Sequence, residues 1–95
     1  MQEKMGKSLK QTATAGFEEK NDILITVSPL NAGENTVDLT STVLHQYGRQ
    51  IKKLIIDTVN DAGFKSVKIN AIDKGAWDYT IKARVLGALE RGMKA

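Results

Sequence analysis

The order of apolar patterns along this chain predicts a small α+β fold, a two-layer sandwich with the elements strand, strand, helix, strand, helix. Three observations carry that expectation. Apolar residues alternate at Ile23, Ile25 and Val27, and again at Val67, Ile69 and Ala71, which is the two-residue period of a strand. Between Val43 and Ala62 they recur at spacings of three and four, the period of a helix. A second helical stripe, Trp77, Ile81, Val85 and Leu89, follows the last strand. Helices and strands in this order bury their apolar faces together only when both helices cover a sheet.

Each element has its own markers. Residues 1–10 are charged and polar and read as a flexible N-terminal tail, and residues 11–95 as a single domain whose first stretch, to about residue 21, is a loop of small and polar residues. The first strand runs from Asp22 until Pro29 stops it. Asn31, Gly33 and Asn35 are turn formers, and Val37 and Leu39 then alternate with Thr36, Asp38 and Thr40, so a hairpin is expected between the first two strands. The long helix has Ser41 or Thr42 as candidate N-cap and Gly63 as candidate C-terminal glycine. The third strand spans Ser66 to Ala71, Asp73 is a plausible cap for the second helix, and Gly92 is expected to end it. Asp78 and Lys82, acid first and four apart, favour helix in that last segment.

Length and composition narrow the function. At 95 residues there is room for one modest core. The absence of cysteine removes disulfides, thiolate zinc sites and a thiol nucleophile, which fits a cytoplasmic protein. The first ten residues have no apolar run of the signal-peptide kind and no stretch approaches the ~20 apolar residues of a membrane span, so a soluble, cytoplasmic chain is expected. Fourteen basic against eleven acidic residues leave a net charge of +3, and Lys4, Lys7 and Lys10 supply much of it from the tail.

Candidate chemistry is thin. His45 is the single histidine, so neither a catalytic triad nor a histidine metal cluster can be assembled around a second one, and it reads as structural or solvated. Asp57, Asp61, Asp73 and Asp78 could supply a carboxylate pair, although surface charge or helix capping accounts for each. Lys52 and Lys53 lie opposite the Leu44 and Ile51 stripe and read as a solvated face. Trp77 begins an apolar stripe and reads as core, and Gly75 before a helix is a weak anion-site signal. On residues alone, this is a domain that binds, carries or assembles, with no visible active site.

Several segments add to that reading. Ala15-Gly16, Glu19 and Asp22-Ile23-Leu24 have the spacing of an Ala-Gly-x-x-Glu-Ser-x-Asp segment leading into a strand. Gln46-Tyr47-Gly48 with Ile51, and Asp73-Lys74-Gly75-Ala76 with Asp78 and Ala83-Arg84, follow in order. From about Gln11 to Gly92 the chain thereby resembles the citrate lyase acyl carrier protein (gamma subunit) family. The resemblance implies a subunit with no catalysis of its own. It carries a prosthetic arm derived from 2'-(5''-triphosphoribosyl)-3'-dephospho-CoA, joined through a phosphodiester to the serine of Glu-Ser-x-Asp. The implied partners are the citrate lyase alpha and beta subunits, which turn citrate into acetate and oxaloacetate on the acetyl and citryl thioesters of the arm, and the prosthetic-group transferase that loads it.

The serine position is occupied by Lys20, followed by Asn21, and neither has a hydroxyl. Lys20 is therefore the cofactor-binding position by resemblance, and the arm is expected to be absent from it. Thr14 and Ser28 are the hydroxyls considered as substitutes. The competing readings are a non-loadable binding or structural homologue, and a small nucleic-acid-binding α+β domain. The latter needs clustered Lys and Arg with exposed aromatics or a glycine-rich clamp.

Overall fold

The computed structural model describes residues 6–42 and 44–94, with Leu44 and His45 described by backbone alone. Four strands and two helices succeed one another as β1 (Ala13–Gly16), β2 (Ile23–Pro29), β3 (Thr36–Ser41), α1 (Leu44–Asp61), β4 (Val67–Asp73) and α2 (Asp78–Met93). The strands form one sheet in the order β1-β2-β4-β3, antiparallel except for the parallel pair β3 and β4. In β2 and β4 alternate side chains are fully covered, Ile23, Ile25 and Val27 on one strand and Val67, Ile69 and Ala71 on the other, whereas Lys68 and Asn70 face solvent. α2 packs over β1 and β2, α1 packs against β3, and the two helices pack on each other. The result is the expected two-layer α+β sandwich, with Ile51, Ile55, Val59, Ile81, Val85 and Leu89 closing the core from the helix side.

The hairpin between the first two expected strands is not formed. β4 inserts between β2 and β3, so β3, α1 and β4 make a parallel crossover unit instead. The composition explains the placement. β4 covers Val67, Ile69 and Ala71 completely and takes the centre, while β3 exposes Thr36, Asp38 and Thr40 and half-buries Val37 and Leu39, which suits an edge. Asn35 anchors the segment before β3 at its new position: its side-chain amide donates to Asn60 Oδ1 at 2.8 Å and to the Phe64 carbonyl at 3.0 Å, and its Oδ1 accepts from the Val67 N–H at 2.8 Å.

Part of the stretch read as loop is the edge strand β1. Its residues are small, and the reason lies in α2: Ala15 is buried, and a Cβ on Gly87 would stand 3.6 Å from the Ala15 Cβ, so helix and strand approach closely. Within the segment read as a tail, Lys7 bridges to Phe64, and Leu9 is buried. The Lys10 and Gln11 amides donate to the Gly92 carbonyl at 2.8 and 3.2 Å. Gly92 therefore does not end α2. It sits inside the helix, where a Cβ would meet Leu9 Cδ2 at 2.7 Å. Gly63 does behave as expected: with φ of 87° it closes α1, its N–H donating to the Asn60 carbonyl and that of Phe64 to the Val59 carbonyl, the paired bonds of a Schellman ending.

Candidate functional site

One end of the molecule gathers the start of β2, the ends of β1, β3 and β4, and the starts of both helices. Residues 17–22, which join β1 to β2, form its most exposed feature. The loop begins at Gly16, whose φ is 92° and whose Cβ, if present, would lie 1.9 Å from the Ile23 carbonyl oxygen and 3.2 Å from the Arg84 Cδ, so only glycine fits. Glu19 to Asp22 is a β-turn closed by the Asp22 N–H on the Glu19 carbonyl at 2.9 Å. Asn21 takes the third position with φ of 66°, a conformation asparagine tolerates better than most side chains. Lys20 is the second residue of that turn, exposed at the tip.

The loop is clamped from two sides. The Asn21 N–H donates to the Lys74 carbonyl at 2.8 Å and the Lys74 N–H returns to the Asp22 carbonyl at 2.9 Å, joining the tip to the turn after β4. The guanidinium of Arg84, on α2, grips the Asp22 carboxylate with two bonds, Nε to Oδ1 at 3.0 Å and Nη2 to Oδ2 at 2.8 Å. Arg84 holds the Asp22 carboxyl below its usual range against the opposing effect of burial, and the Ile23 N–H, 2.7 Å from Oδ1, adds to the lowering. Asp22 in turn raises the Arg84 guanidinium. Bidentate, charge-assisted pairs of this kind fix orientation as well as distance.

Asp73 is expected as a helix cap and serves elsewhere. It is the last residue of β4, 1% exposed, and its carboxylate accepts from the Ala76 N–H at 2.9 Å and from Ser41 Oγ at 2.8 Å. It therefore ties the end of β3, where Ser41 is the last residue, to the turn before α2. α2 begins at Asp78 with Trp77 in extended conformation as its N-cap, so the Trp77 side chain leaves the buried track of Ile81, Val85 and Leu89 and is 64% exposed, contrary to its reading as core. Tyr47, Trp77 and Tyr79 instead line an open groove of about 770 Å³ beside the loop, and Phe17 is exposed on the loop itself. Glu18, Glu19 and Asp78 are interspersed with Lys20 and Lys74 at this end, so the aromatics do not lie on a basic face of the nucleic-acid-binding kind.

The other candidates are not brought together. Lys52 and Lys53 are exposed on α1, and Lys53 pairs with Asp57 at 2.6 Å, a hydrogen bond that raises the lysine. Asp61 is at the opposite end of the chain's long helix from Asp73 and Asp78, beside a groove with Asn60 and Phe64. Gly75 has φ of 92° in the turn after β4, and the amide that follows it is taken by Asp73. The His45 side chain and Lys4 lie outside the described residues. Among the described residues no three His, Cys, Asp or Glu side chains are placed to hold a metal ion, and no helix is long and apolar enough to cross a membrane. The Asp22 and Arg84 clamp was not derivable from periodicity, since the partners are 62 residues apart; both stand in segments that carry the family resemblance.

Comparisons with known proteins cover most of the chain. Residues 10–92 match the family described as "Malonate decarboxylase delta subunit (MdcD)". The citrate lyase acyl carrier protein of Halothermothrix orenii is 50% identical over 86 residues, 90% of each chain. That of Streptococcus mutans is 47% identical over 83 residues, 87% of this chain and 81% of its own, and that of Fusobacterium nucleatum 36% identical over 87 residues, 92% and 93%. In fold, the chain is similar to one in the crystal structure of a Pseudomonas malonate decarboxylase hetero-tetramer in complex with malonate, with a TM-score of 0.73 and 14% identity over 92% of this chain and 89% of that one. On the matched length and identity, this chain belongs to the acyl carrier protein family of the citrate lyase and malonate decarboxylase type.

Proposed function

We propose that this chain is the carrier, or gamma, subunit of a citrate lyase-like complex in the cytoplasm, a non-catalytic component that assembles with the alpha and beta subunits. The observation that carries the reading is the identity of up to 50% with citrate lyase acyl carrier proteins across nearly the whole chain, set against a likeness to the malonate decarboxylase chain at the level of fold. The protruding, doubly clamped 17–22 loop supports it, because a carrier must present one point of its surface to successive active sites while the rest stays rigid.

The family's arm is a phosphoribosyl-dephospho-CoA group on a serine, and it would bring the thiol that a chain without cysteine lacks. The residues of this chain do not fit that attachment. At the serine position Lys20 offers an ammonium group, which has three hydrogen-bond donors and no hydroxyl with which to form a phosphodiester. Ser28 is near the far end of β2, five strand steps or about 17 Å beyond Ile23, and its Oγ accepts from Thr12 at 3.3 Å. Thr14 pairs in mid-strand with Thr26. The subunit is accordingly read as one that assembles without carrying the arm at its tip.

Co-expression with citrate lyase alpha and beta subunits, followed by affinity capture on this chain, tests the assembly. Recovery of both subunits in a stable complex is expected. Recovery of neither would end the reading, and recovery of malonate decarboxylase subunits in a parallel capture would reassign the chain within its family.

A further inference from the structure

The groove between the starts of α1 and α2 has a composition that the packing of the fold does not require. Tyr47, from the first turn of α1, and Trp77 and Tyr79, from the start of α2, line it and keep half or more of their surfaces in solvent. Rings left this exposed add little to the core. The charges in the groove have one sign: Asp73 and Asp78 line it, and every other lining side chain is neutral. The buried Asp73 carboxylate accepts from a hydroxyl, Ser41 Oγ, and from a backbone amide, the Ala76 N–H, and no cation pairs with it among the described residues. A buried carboxylate is ordinarily matched by a cation.

The sign of the missing ligand follows from these neighbours. Helix starts favour negative charge, and at this end the two aspartates already supply it. A further anion would be repelled, whereas a cation would be drawn to both carboxylates. The ring faces share that preference, because their π-electrons attract a cation. Among biological cations the guanidinium of arginine fits best, since its plane can lie on a ring while its edge forks a carboxylate. We propose that this groove is the docking site for an arginine side chain of a protein partner, taken up against the rings of Tyr47, Trp77 and Tyr79 and the carboxylate of Asp78, with Asp73 beneath. The proposal goes beyond the carrier reading and rests on it only for the source of the arginine, which is the alpha or beta subunit.

Two measurements test it. In the first, the isotope-labelled full chain is titrated at low salt with acetyl-arginine amide, with its neutral counterpart acetyl-citrulline amide, and with acetyl-leucine amide. The indole N–H of Trp77, the single tryptophan of the chain, and the amides of Tyr47 and Tyr79 are followed by NMR. Arginine should shift them saturably with a Kd of about millimolar order. Citrulline should bind about tenfold more weakly, and Asp78→Asn, checked for native circular dichroism, should weaken arginine binding roughly threefold. Absence of a saturable arginine shift up to about 50 mM overturns the proposal. Equal affinity for citrulline does so as well, and so does equal or tighter binding of leucine, which would make the groove an apolar site. In the second, the citrate lyase alpha and beta subunits are captured on the natural chain, on Asp78→Lys and on Asp78→Asn, the last so that a misfolded charge reversal does not decide the result. Recovery on folded Asp78→Lys should fall roughly tenfold, with Asp78→Asn in between. Equal recovery on all three overturns the proposal and leaves the assembly standing. Recovery on none removes the assembly, and the titration then decides the groove by itself.

Discussion

Asp22 is where loop shape, electrostatics and the long-range fold meet. Its carboxylate receives the Ile23 amide and both arms of the Arg84 fork, and with 15% of its side chain exposed it is shielded enough for those bonds to matter. Arg84 is 36% exposed, so solvent screens part of the attraction, and Asp22→Asn should cost about 1 kcal/mol of stability at neutral pH. The pH dependence has a definite sign. The folded-state carboxyl titrates below its usual value of 3.8, so its contribution is complete above that value and disappears as pH falls through the lower folded one. Urea unfolding at pH 7 and at about pH 3 should show the gap between natural chain and Asp22→Asn narrowing in acid; a gap of equal size at both would mean that the carboxylate's charge contributes nothing. Gly16 is the less forgiving neighbour. A Cβ there overlaps the Ile23 carbonyl, a backbone atom that cannot step aside, so Gly16→Ala should cost roughly 2–3 kcal/mol, measurable in the same unfolding assay.

Among the elements, the edges of the sheet depend on residues outside the strands. Asn35 holds the entry to β3 through three hydrogen bonds to α1, the following turn and β4, standing in for the hairpin that does not form. Asn35→Ala should lower stability by about 1–3 kcal/mol, and hydrogen exchange should accelerate first along β3; unchanged protection of β3 would show that its parallel pairing with β4 suffices. The same dependence explains what was legible here. The apolar alternation of 36–40 identifies a strand, but the turn formers at 31–35 fit a hairpin and a wider connection equally well, and only Asn35's partners distinguish them. β1 carried no periodic apolar signal because its inward residues are alanines, chosen by the closeness of α2, whose Gly87 faces Ala15. Trp77 lay on the extrapolated stripe of α2, yet the helix starts one residue later, and an extended N-cap does not follow helical phase.

For the molecule as a whole, the N-terminal segment behaves as a seam. Lys7 pairs with Phe64 and lies 5.8 Å from its ring centroid, while Leu9 fills space over Gly92 and closes the core. Deleting residues 1–10 exposes what Leu9 covers, about 2 kcal/mol of apolar burial, and the melting temperature should fall by roughly 10 °C in a domain of this size; an unchanged melt would restore the segment to the status of a tail. At the other end, four aromatics stand exposed around the loop while Phe64 alone of the five is buried. Solvent-exposed Trp and Tyr gathered beside the presented loop are what a face used for protein contact would show. Trp77→Ala should therefore leave thermal stability within about 0.5 kcal/mol of the natural chain while weakening capture of the partner subunits; equal capture would place the docking surface elsewhere.

The sequence by itself determined which segments are helix or strand in β2, β3, β4, α1 and α2, which of their faces are apolar, and where α1 ends before Gly63. Periodicity records how much of an element is covered, so these features could be read one segment at a time. Tertiary structure alone decided the neighbours: β4 between β2 and β3, β1 at the edge under α2, Asp73 joined to Ser41, and Asp22 gripped by Arg84 from the far end of the chain. Those pairings depend on which covered faces fit together in space, and a pattern along one chain segment carries no information about the segment that will meet it.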